Sequence, residues 1–271
     1  MIAGMPCIFC QRPFTPENPD SNEHLFRTTW LKALGHMSTP MPTNVVRNGV
    51  VVQSREPAAK SVVAGRICKE CNQDWMEKLD ESVSDNLLAL ARGKITMDAL
   101  DADAFSKLAR WVFKTTCVLR SCTPEGFRQL DTALLKAAML NEFLPRGFIA
   151  FAHCLPAGTK ALGASSIGEA LRFDPFDAFS QFPQSQWARG VFQYDSLMIG
   201  CCWFTTTGIP IFHVIPGVHD VFRAHDAQIS HMSESQAREI RDFASSRGQS
   251  PPTFFQMTIT CSVGPQTVFG A

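Results

Sequence analysis

The sequence has no excess of either charge. Lys plus Arg and Asp plus Glu each total 25, so the formal net charge at pH 7 is zero. Such a chain has no global electrostatic field that draws it to nucleic acid or to an anionic membrane. Any site for a polyanion must therefore be a local patch.

The sequence also lacks long apolar runs. No segment reaches the roughly 18 consecutive apolar residues that span a bilayer. Its first residues, MIAGMPCIFC, have neither the basic region nor the apolar stretch of a secretory signal. We therefore expect a cytoplasmic protein that makes no contact with membranes.

Two common catalytic motifs are absent. The chain contains no glycine-rich loop of the kind that cradles phosphates and no G-x-S-x-G nucleophile turn. Nucleotide binding and serine hydrolase chemistry are therefore not supported. A hydrophobic fraction of 45% over 271 residues is enough to bury a core, in one large domain or in two to three small ones.

The ten cysteines fall into two groups. Six are scattered among apolar neighbours and are typical of buried thiols. The other four form two C-x2-C pairs, Cys7 with Cys10 and Cys68 with Cys71, which in a cytoplasmic chain predict a structural Zn²⁺ held by four thiolates. A thioredoxin-like redox pair is the alternative, but neither pair lies in a strand-to-helix unit of that type.

The pattern of apolar residues predicts helices in the first half of the chain and strands in the second. Helical spacing occurs at residues 23–35, 72–91, 102–120, 126–142 and 234–246. Asn48-Gly49 between β-branched runs predicts a β-hairpin. From Pro145 onward, short apolar segments separated by Gly and Pro predict strands, among them TFFQMTITC near the end of the chain.

These elements predict an α+β fold. A cysteine knuckle, strands, and a second knuckle that leads into a helix form the plan of a zinc-bound treble clef. We expect this module at residues 1–93, a helical segment packed on it at 94–144, and a β-rich C-terminal domain at 145–271. The sequence assigns no role to that last domain, which is a candidate for protein binding or self-association.

The N-terminal motifs resemble a known family. The segments CIFC, EHLFRTTWL and CKECNQDWMEKLD are similar to those of the HNH, or ββα-metal, endonucleases. The likeness is greatest to bacterial and phage members of the form C-x-x-C, E-H-x-x-P-x-W-L and C-x-x-C-N-x-G-W-M. The specific motifs cover residues 7–80, and a weaker similarity continues to about residue 122.

The resemblance implies a metal-dependent nuclease that hydrolyses phosphodiester bonds. His24 matches the general base, and a neutral imidazole suits that role because its unperturbed pKa is about 6.5. Glu23 and Asn72 match ligands of a catalytic Mg²⁺ or Mn²⁺, with Asp74 as a possible further ligand. DNA is the expected substrate, and RNA is not excluded.

Three basic residues near the motifs are candidates for phosphate contacts: Arg27, Arg66 and Lys69. Acidic residues are interspersed among them, so a mixed, solvated face is an equally good interpretation. Asn72 has a similar alternative, because Asn at a helix start often caps a free backbone N–H.

The chain departs from the family pattern in three places. SVVAGRI, before the second cysteine pair, lacks the central Asn of the motif. Arg27 stands where relatives have Pro, and Asp74 stands where they have Gly. The missing Asn and the neutral charge of the chain favour an alternative function, a catalytically inactive zinc module that binds nucleic acid or protein.

The adjacent positions of Glu23 and His24 impose a geometric condition. Neighbouring residues of a regular strand project to opposite faces. Both side chains can therefore face one ion only if the chain bends within the segment SNEH.

Overall fold

A computed structural model describes most of the chain. The described residues are 6–41, 43–47, 50–121, 132–140, 148–171, 185–204, 211–213, 218–223 and 229–231. The helix predicted at 234–246 and the strand predicted in TFFQMTITC lie outside these ranges.

The elements alternate in the first third of the chain and then separate into helices and strands. The strands are β1 Asp20–His24, β2 Thr43–Arg47, β3 Val50–Arg55, β4 Val63–Cys68, β5 Ile149–Cys154, β6 Leu162–Leu171, β7 Ser185–Tyr194, β8 Leu197–Phe204, β9 Ile211–His213, β10 Val218–Arg223 and β11 Ile229–His231. The α-helices are α1 Thr28–Leu34, α2 Lys69–Cys71, α3 Glu77–Ala91, α4 Ala102–Ser121 and α5 Thr132–Leu140. A π-helical turn, Asn72–Met76, joins α2 to α3.

The N-terminal region is built on an antiparallel pair of strands, β1 and β4. Asp20 lies opposite Cys68, and His24 lies opposite Val63. The register shifts between Ser21 and Glu23, which is a β-bulge. The extra residue lies on β4, because the step from Ser21 to Glu23 on β1 is opposed by the longer step from Ile67 to Ala64. Beyond it Glu23 and His24 pair in regular register, so the irregularity does not turn both side chains to one face.

Helix α1 ends as the sequence predicts. Gly35 adopts a left-handed conformation with φ of 83°. The His36 N–H bonds the Leu31 carbonyl at 2.7 Å, and the Gly35 N–H bonds the Lys32 carbonyl at 3.3 Å, which is a Schellman cap. The helix begins only at Thr28, so the predicted start at residue 23 is wrong, because the strand β1 takes up Glu23 and His24.

The predicted hairpin is present as the strands β2 and β3. They pair antiparallel, with Arg47 opposite Val50 and Thr43 opposite Arg55. The turn residues Asn48 and Gly49 lie outside the described residues. The hairpin and α1 are both inserted between the paired strands β1 and β4.

The second half of the described chain forms an antiparallel sheet of five strands in the order β10-β5-β8-β7-β6. Helix α4 packs across it, and most of its side chains are buried. Its aromatic residues contact those of the sheet: Trp111 lies 5.9 Å from Phe192, and Phe113 lies 5.0 Å from Trp203, between ring centroids. The described residues thus combine helices and sheets, as the predicted α+β class requires.

A buried polar cluster links the N-terminal region to this sheet. Asp195, in the turn between β7 and β8, is 1% exposed. One of its carboxylate oxygens lies 2.6 Å from His36 Nε2, and the other accepts a bond from Lys160 Nζ at 2.7 Å. The opposite ring nitrogen of His36 lies 3.0 Å from Thr39 Oγ1. Both carboxylate oxygens of Asp195 are therefore paired.

Among the described helices, none combines the length and the apolar character that crossing a membrane requires.

Gly190 marks the closest approach of β7 to α4. A β-carbon at this position would lie 2.0 Å from Thr116 Oγ1 and 2.5 Å from Thr116 Cγ2. Gly190→Ala is therefore expected to lower the free energy of unfolding by about 1–3 kcal/mol, the usual cost of overpacking a core. Urea denaturation measures this change in the free energy of unfolding. In a Thr116→Ala background the cost should be smaller, and an unchanged free energy in Gly190→Ala would contradict the packing.

Candidate metal centre

The four paired cysteines converge from two parts of the chain. Cys7 and Cys10 lie in a turn closed by a bond from the Gln11 N–H to the Cys7 carbonyl at 3.0 Å. Gln11 has φ of 59°, which reverses the chain after the turn. Cys68 ends β4, and Cys71 lies at the end of the short helix that follows.

Their sulfur atoms have the spacing that a tetrahedral metal site requires. All four Sγ atoms lie within 4.8 Å of one another, and those of Cys10 and Cys68 are 3.7 Å apart. Zinc bound to sulfur at about 2.3 Å places the ligands of a tetrahedron about 3.8 Å from each other. All four cysteines are free thiols. They form a site that can bind a metal such as zinc.

Backbone groups also point at the sulfurs. The Cys68 N–H donates to Cys7 Sγ at 3.4 Å, and the Cys71 N–H donates to Cys68 Sγ at 3.5 Å. Such bonds stabilise thiolates, and N–H groups that donate to metal-binding sulfurs adjust the metal affinity of the site. The knuckle is tied to β4 by the Ile8 N–H, which bonds the Arg66 carbonyl at 2.9 Å.

The protonation of the sulfurs is strongly interdependent. The Cys71 thiol, together with backbone donors, lowers the pKa of Cys7 to about 5. Cys7 in turn raises the pKa of Cys71, and burial raises the pKa of Cys68. Without a cation the cluster therefore favours a thiolate at Cys7 and protons on Cys68 and Cys71. Binding of a divalent ion by all four sulfurs must release those protons.

His24 lies at the end of β1, beyond the bulge. Its side chain is partly exposed. Its Nδ1 atom is nevertheless buried and has no hydrogen-bond partner among the described residues. A buried polar atom without a partner is uncommon and is typical of catalytic groups and of sites that hold a water or an ion.

Glu23 faces the interior. It is 7% exposed, and its Oε1 lies 3.5 Å from Lys114 Nζ on α4. The same ammonium donates to Asp80 Oδ1 of α3 at 2.8 Å. We call Glu23, Asp80 and Lys114 the buried ionic cluster.

The buried ionic cluster shares one cation between two carboxylates. Burial raises the pKa of Glu23, although Lys114 opposes the shift. Burial alone would lower the pKa of Lys114, but Asp80 and Glu23 together raise it above its ordinary value. Lys114 therefore stays charged, and its ammonium is the nearest described cation to the Glu23 carboxylate.

Asn72 connects the start of the long helix to β1. Its Nδ2 donates to Ser21 Oγ at 3.0 Å, and that hydroxyl donates to the Ile67 carbonyl at 2.8 Å. The structure thus brings Asn72 beside β1, three positions before His24. Among the described hydrogen bonds, Asn72 bonds Ser21 whereas Glu23 bonds Lys114, so these bonds do not bring the two predicted ion ligands to a common partner.

Two other predicted site residues are engaged in ion pairs. Asp74 pairs with Lys78 one turn along the helix, and both are exposed. Arg27 lies 3.5 Å from Glu81 Oε1. These contacts match the mixed, solvated face that the sequence offered as an alternative.

The remaining two basic candidates border the metal centre. Lys69 is exposed and its N–H bonds the Pro19 carbonyl at 2.9 Å. Arg66 has φ of 69°, and its N–H bonds Asp20 Oδ1 at 2.9 Å. These bonds hold the backbone of both residues next to the cysteines. Their side chains therefore extend from positions close to β1.

Three buried polar residues of this region were not predicted from the sequence: Lys114, Asp80 and Tyr194. Tyr194 is the single tyrosine of the chain, and its hydroxyl is buried without a hydrogen-bond partner among the described residues. Burial, followed by the charge of Asp80, raises its pKa. The available signal was Lys114 itself, a charged residue within the apolar run WVFKTTCV of α4.

Comparison with family models, with curated proteins and with solved structures finds no match to this chain. The resemblance to HNH endonucleases therefore depends on the quoted motifs alone.

Proposed function

We propose that this protein is a metal-dependent endonuclease that hydrolyses DNA phosphodiester bonds through an HNH-like site on a zinc-bound treble clef. The observation that carries the proposal is the position of His24. Its strand pairs with the strand that ends in Cys68, and its Nδ1 is buried with no partner among the described residues.

The residues present can perform the required steps. The His24 ring offers a nitrogen of the kind that accepts a proton from an attacking water. Asn72, held against β1 through Ser21, offers an amide oxygen of the kind that Mg²⁺ or Mn²⁺ binds. When bound there, the divalent ion stabilises the charge of the phosphoryl group. Four thiolates on zinc would hold the two elements that carry these side chains in register.

A second candidate is favoured by the buried ionic cluster. If Glu23 were an ion ligand, its carboxylate would have to contact both the ion and the Lys114 ammonium. Glu23 is also only 7% exposed. This arrangement supports an inactive zinc module that binds nucleic acid or protein. In that case His24 and Asn72 have structural roles only.

Plasmid cleavage distinguishes the two candidates. The full chain, purified with zinc and assayed with Mg²⁺ or Mn²⁺, should nick supercoiled DNA, and His24→Ala should abolish nicking while keeping the zinc. Lys32→Ala, an exposed change on α1, is the control and should cleave like the wild type. Equal cleavage by His24→Ala, or no cleavage by the wild type with either ion, would contradict the nuclease.

A further inference from the structure

The buried ionic cluster joins three elements at one atom. The Lys114 ammonium on α4 contacts Glu23 of β1 at 3.5 Å and Asp80 of α3 at 2.8 Å. The Lys114 side chain is 4% exposed. An ammonium at this depth is stable only while its carboxylate partners remain in place. The cluster therefore fixes the side of β1 on which Glu23 lies.

The position of Glu23 determines the position of His24. Beyond the bulge the two residues pair in regular register, Glu23 with Ala64 and His24 with Val63. Adjacent residues of a strand project to opposite faces. With Glu23 held against α4, His24 must project to the other face of the strand pair, and its side chain is indeed partly exposed.

The pairing of β1 with β4 is irregular immediately before Glu23. A shift of pairing by one residue moves every side chain of a strand to the other face. The register of β1 already changes once, between Ser21 and Glu23. A further slip at this point would bury His24 against α4 and expose Glu23.

We propose that Lys114 is a positioning residue, which selects the register of β1 and so presents His24 on the outer face of the strand pair. Its effect on catalysis rests on the proposed nuclease function, whereas its effect on the His24 ring does not. Glu23 then holds β1 in this register through its contact with the Lys114 ammonium.

The test uses the full chain with zinc and without other divalent ions. In one variant the whole cluster is neutral: Glu23→Gln, Asp80→Asn and Lys114→Met combined. A second variant, Glu23→Ala, keeps the Lys114–Asp80 pair and so limits the loss of stability. Lys107→Met is the matched control, because Lys107 lies on the same helix and its partner among the described residues is Asp103 on the surface.

The first readout is the ¹⁵N spectrum of the histidine side chains, with the His24 signals assigned by their loss in His24→Ala. We expect these signals to shift or to split into two sets in both cluster variants and to stay unchanged in Lys107→Met. His24 signals identical to those of the wild type in Glu23→Ala would overturn the proposal.

The second readout is the rate of DNA nicking by the neutral variant with Mg²⁺ or Mn²⁺. We expect kcat to fall by about 10²-fold, the usual effect of a misplaced catalytic group, with KM unchanged. A wild-type kcat in this variant overturns the proposal and leaves the nuclease function intact. If the wild type is inert, the nuclease function fails, and the ¹⁵N spectrum alone decides the role of Lys114.

Discussion

Removal of zinc is expected to unfold the part of the chain that surrounds the four paired cysteines. Their neighbours Ile8, Phe9 and Ile67 are fully buried. Cys10 and Cys68 are 58 positions apart, so a metal bound by both would close a long loop. In small zinc domains near pH 7, the apparent binding free energy of structural zinc is roughly 10–16 kcal/mol. We therefore expect zinc binding to be the largest single contribution to the stability of this region.

Metal analysis and circular dichroism measure this effect. The purified protein should contain about one equivalent of zinc. A strong chelator should remove it together with much of the helical signal, and Cys68→Ser should retain none. Cys117→Ser is the matched control, because Cys117 is equally buried but lies on α4 outside the cluster. An undiminished zinc content in Cys68→Ser, or an unchanged spectrum after chelation, would contradict the prediction.

Loss of the Lys114 charge alone is expected to destabilise the folded protein strongly. Lys114→Met leaves the Glu23 and Asp80 carboxylates buried without their cation. Breaking a buried ion pair from one side costs about 3–5 kcal/mol, because the remaining charge is uncompensated. The exposed pair formed by Lys107 contributes only about 0.3–0.5 kcal/mol.

Urea denaturation at neutral pH measures the difference. Lys114→Met should lose about 3–5 kcal/mol, and Lys107→Met should stay within about 0.5 kcal/mol of the wild type. Adding Glu23→Gln and Asp80→Asn to Lys114→Met should recover part of the loss, since it removes the unpaired charges. Equal losses in the two lysine variants would mean that the buried ionic cluster does not contribute to stability.

The pH dependence of this contribution has a definite sign. The pKa of Lys114 is raised in the folded protein by Asp80 and Glu23, although burial opposes the shift. Its stabilisation is therefore complete below the unfolded value of about 10.4 and is lost as the pH rises through the folded value. The stability gap between the wild type and Lys114→Met should therefore narrow in strongly alkaline solution, as the ammonium loses its proton.

Features set by local sequence were predictable. The C-x2-C spacing fixed which four cysteines converge, Gly35 fixed the end of α1, and the turn residues fixed the hairpin of β2 and β3. Each depends on a few neighbouring residues whose conformational preferences are strong.

Contacts between distant residues were not predictable. Lys114 and Glu23 are 91 positions apart, and His36 and Asp195 are 159 positions apart. Nothing in either local sequence names its partner, since a buried ion pair depends on how whole elements pack. For the same reason, the resemblance to HNH motifs implied an ion-ligand role for Glu23 and gave no sign of the ammonium beside it.

The central claim is that the four paired cysteines bind a single zinc ion through their sulfur atoms. X-ray absorption at the zinc edge of the purified protein tests this directly. We expect one shell of four sulfur atoms at about 2.3 Å. A shell that contains nitrogen or oxygen, or fewer than four sulfurs, would contradict the structural site and the proposals built on it.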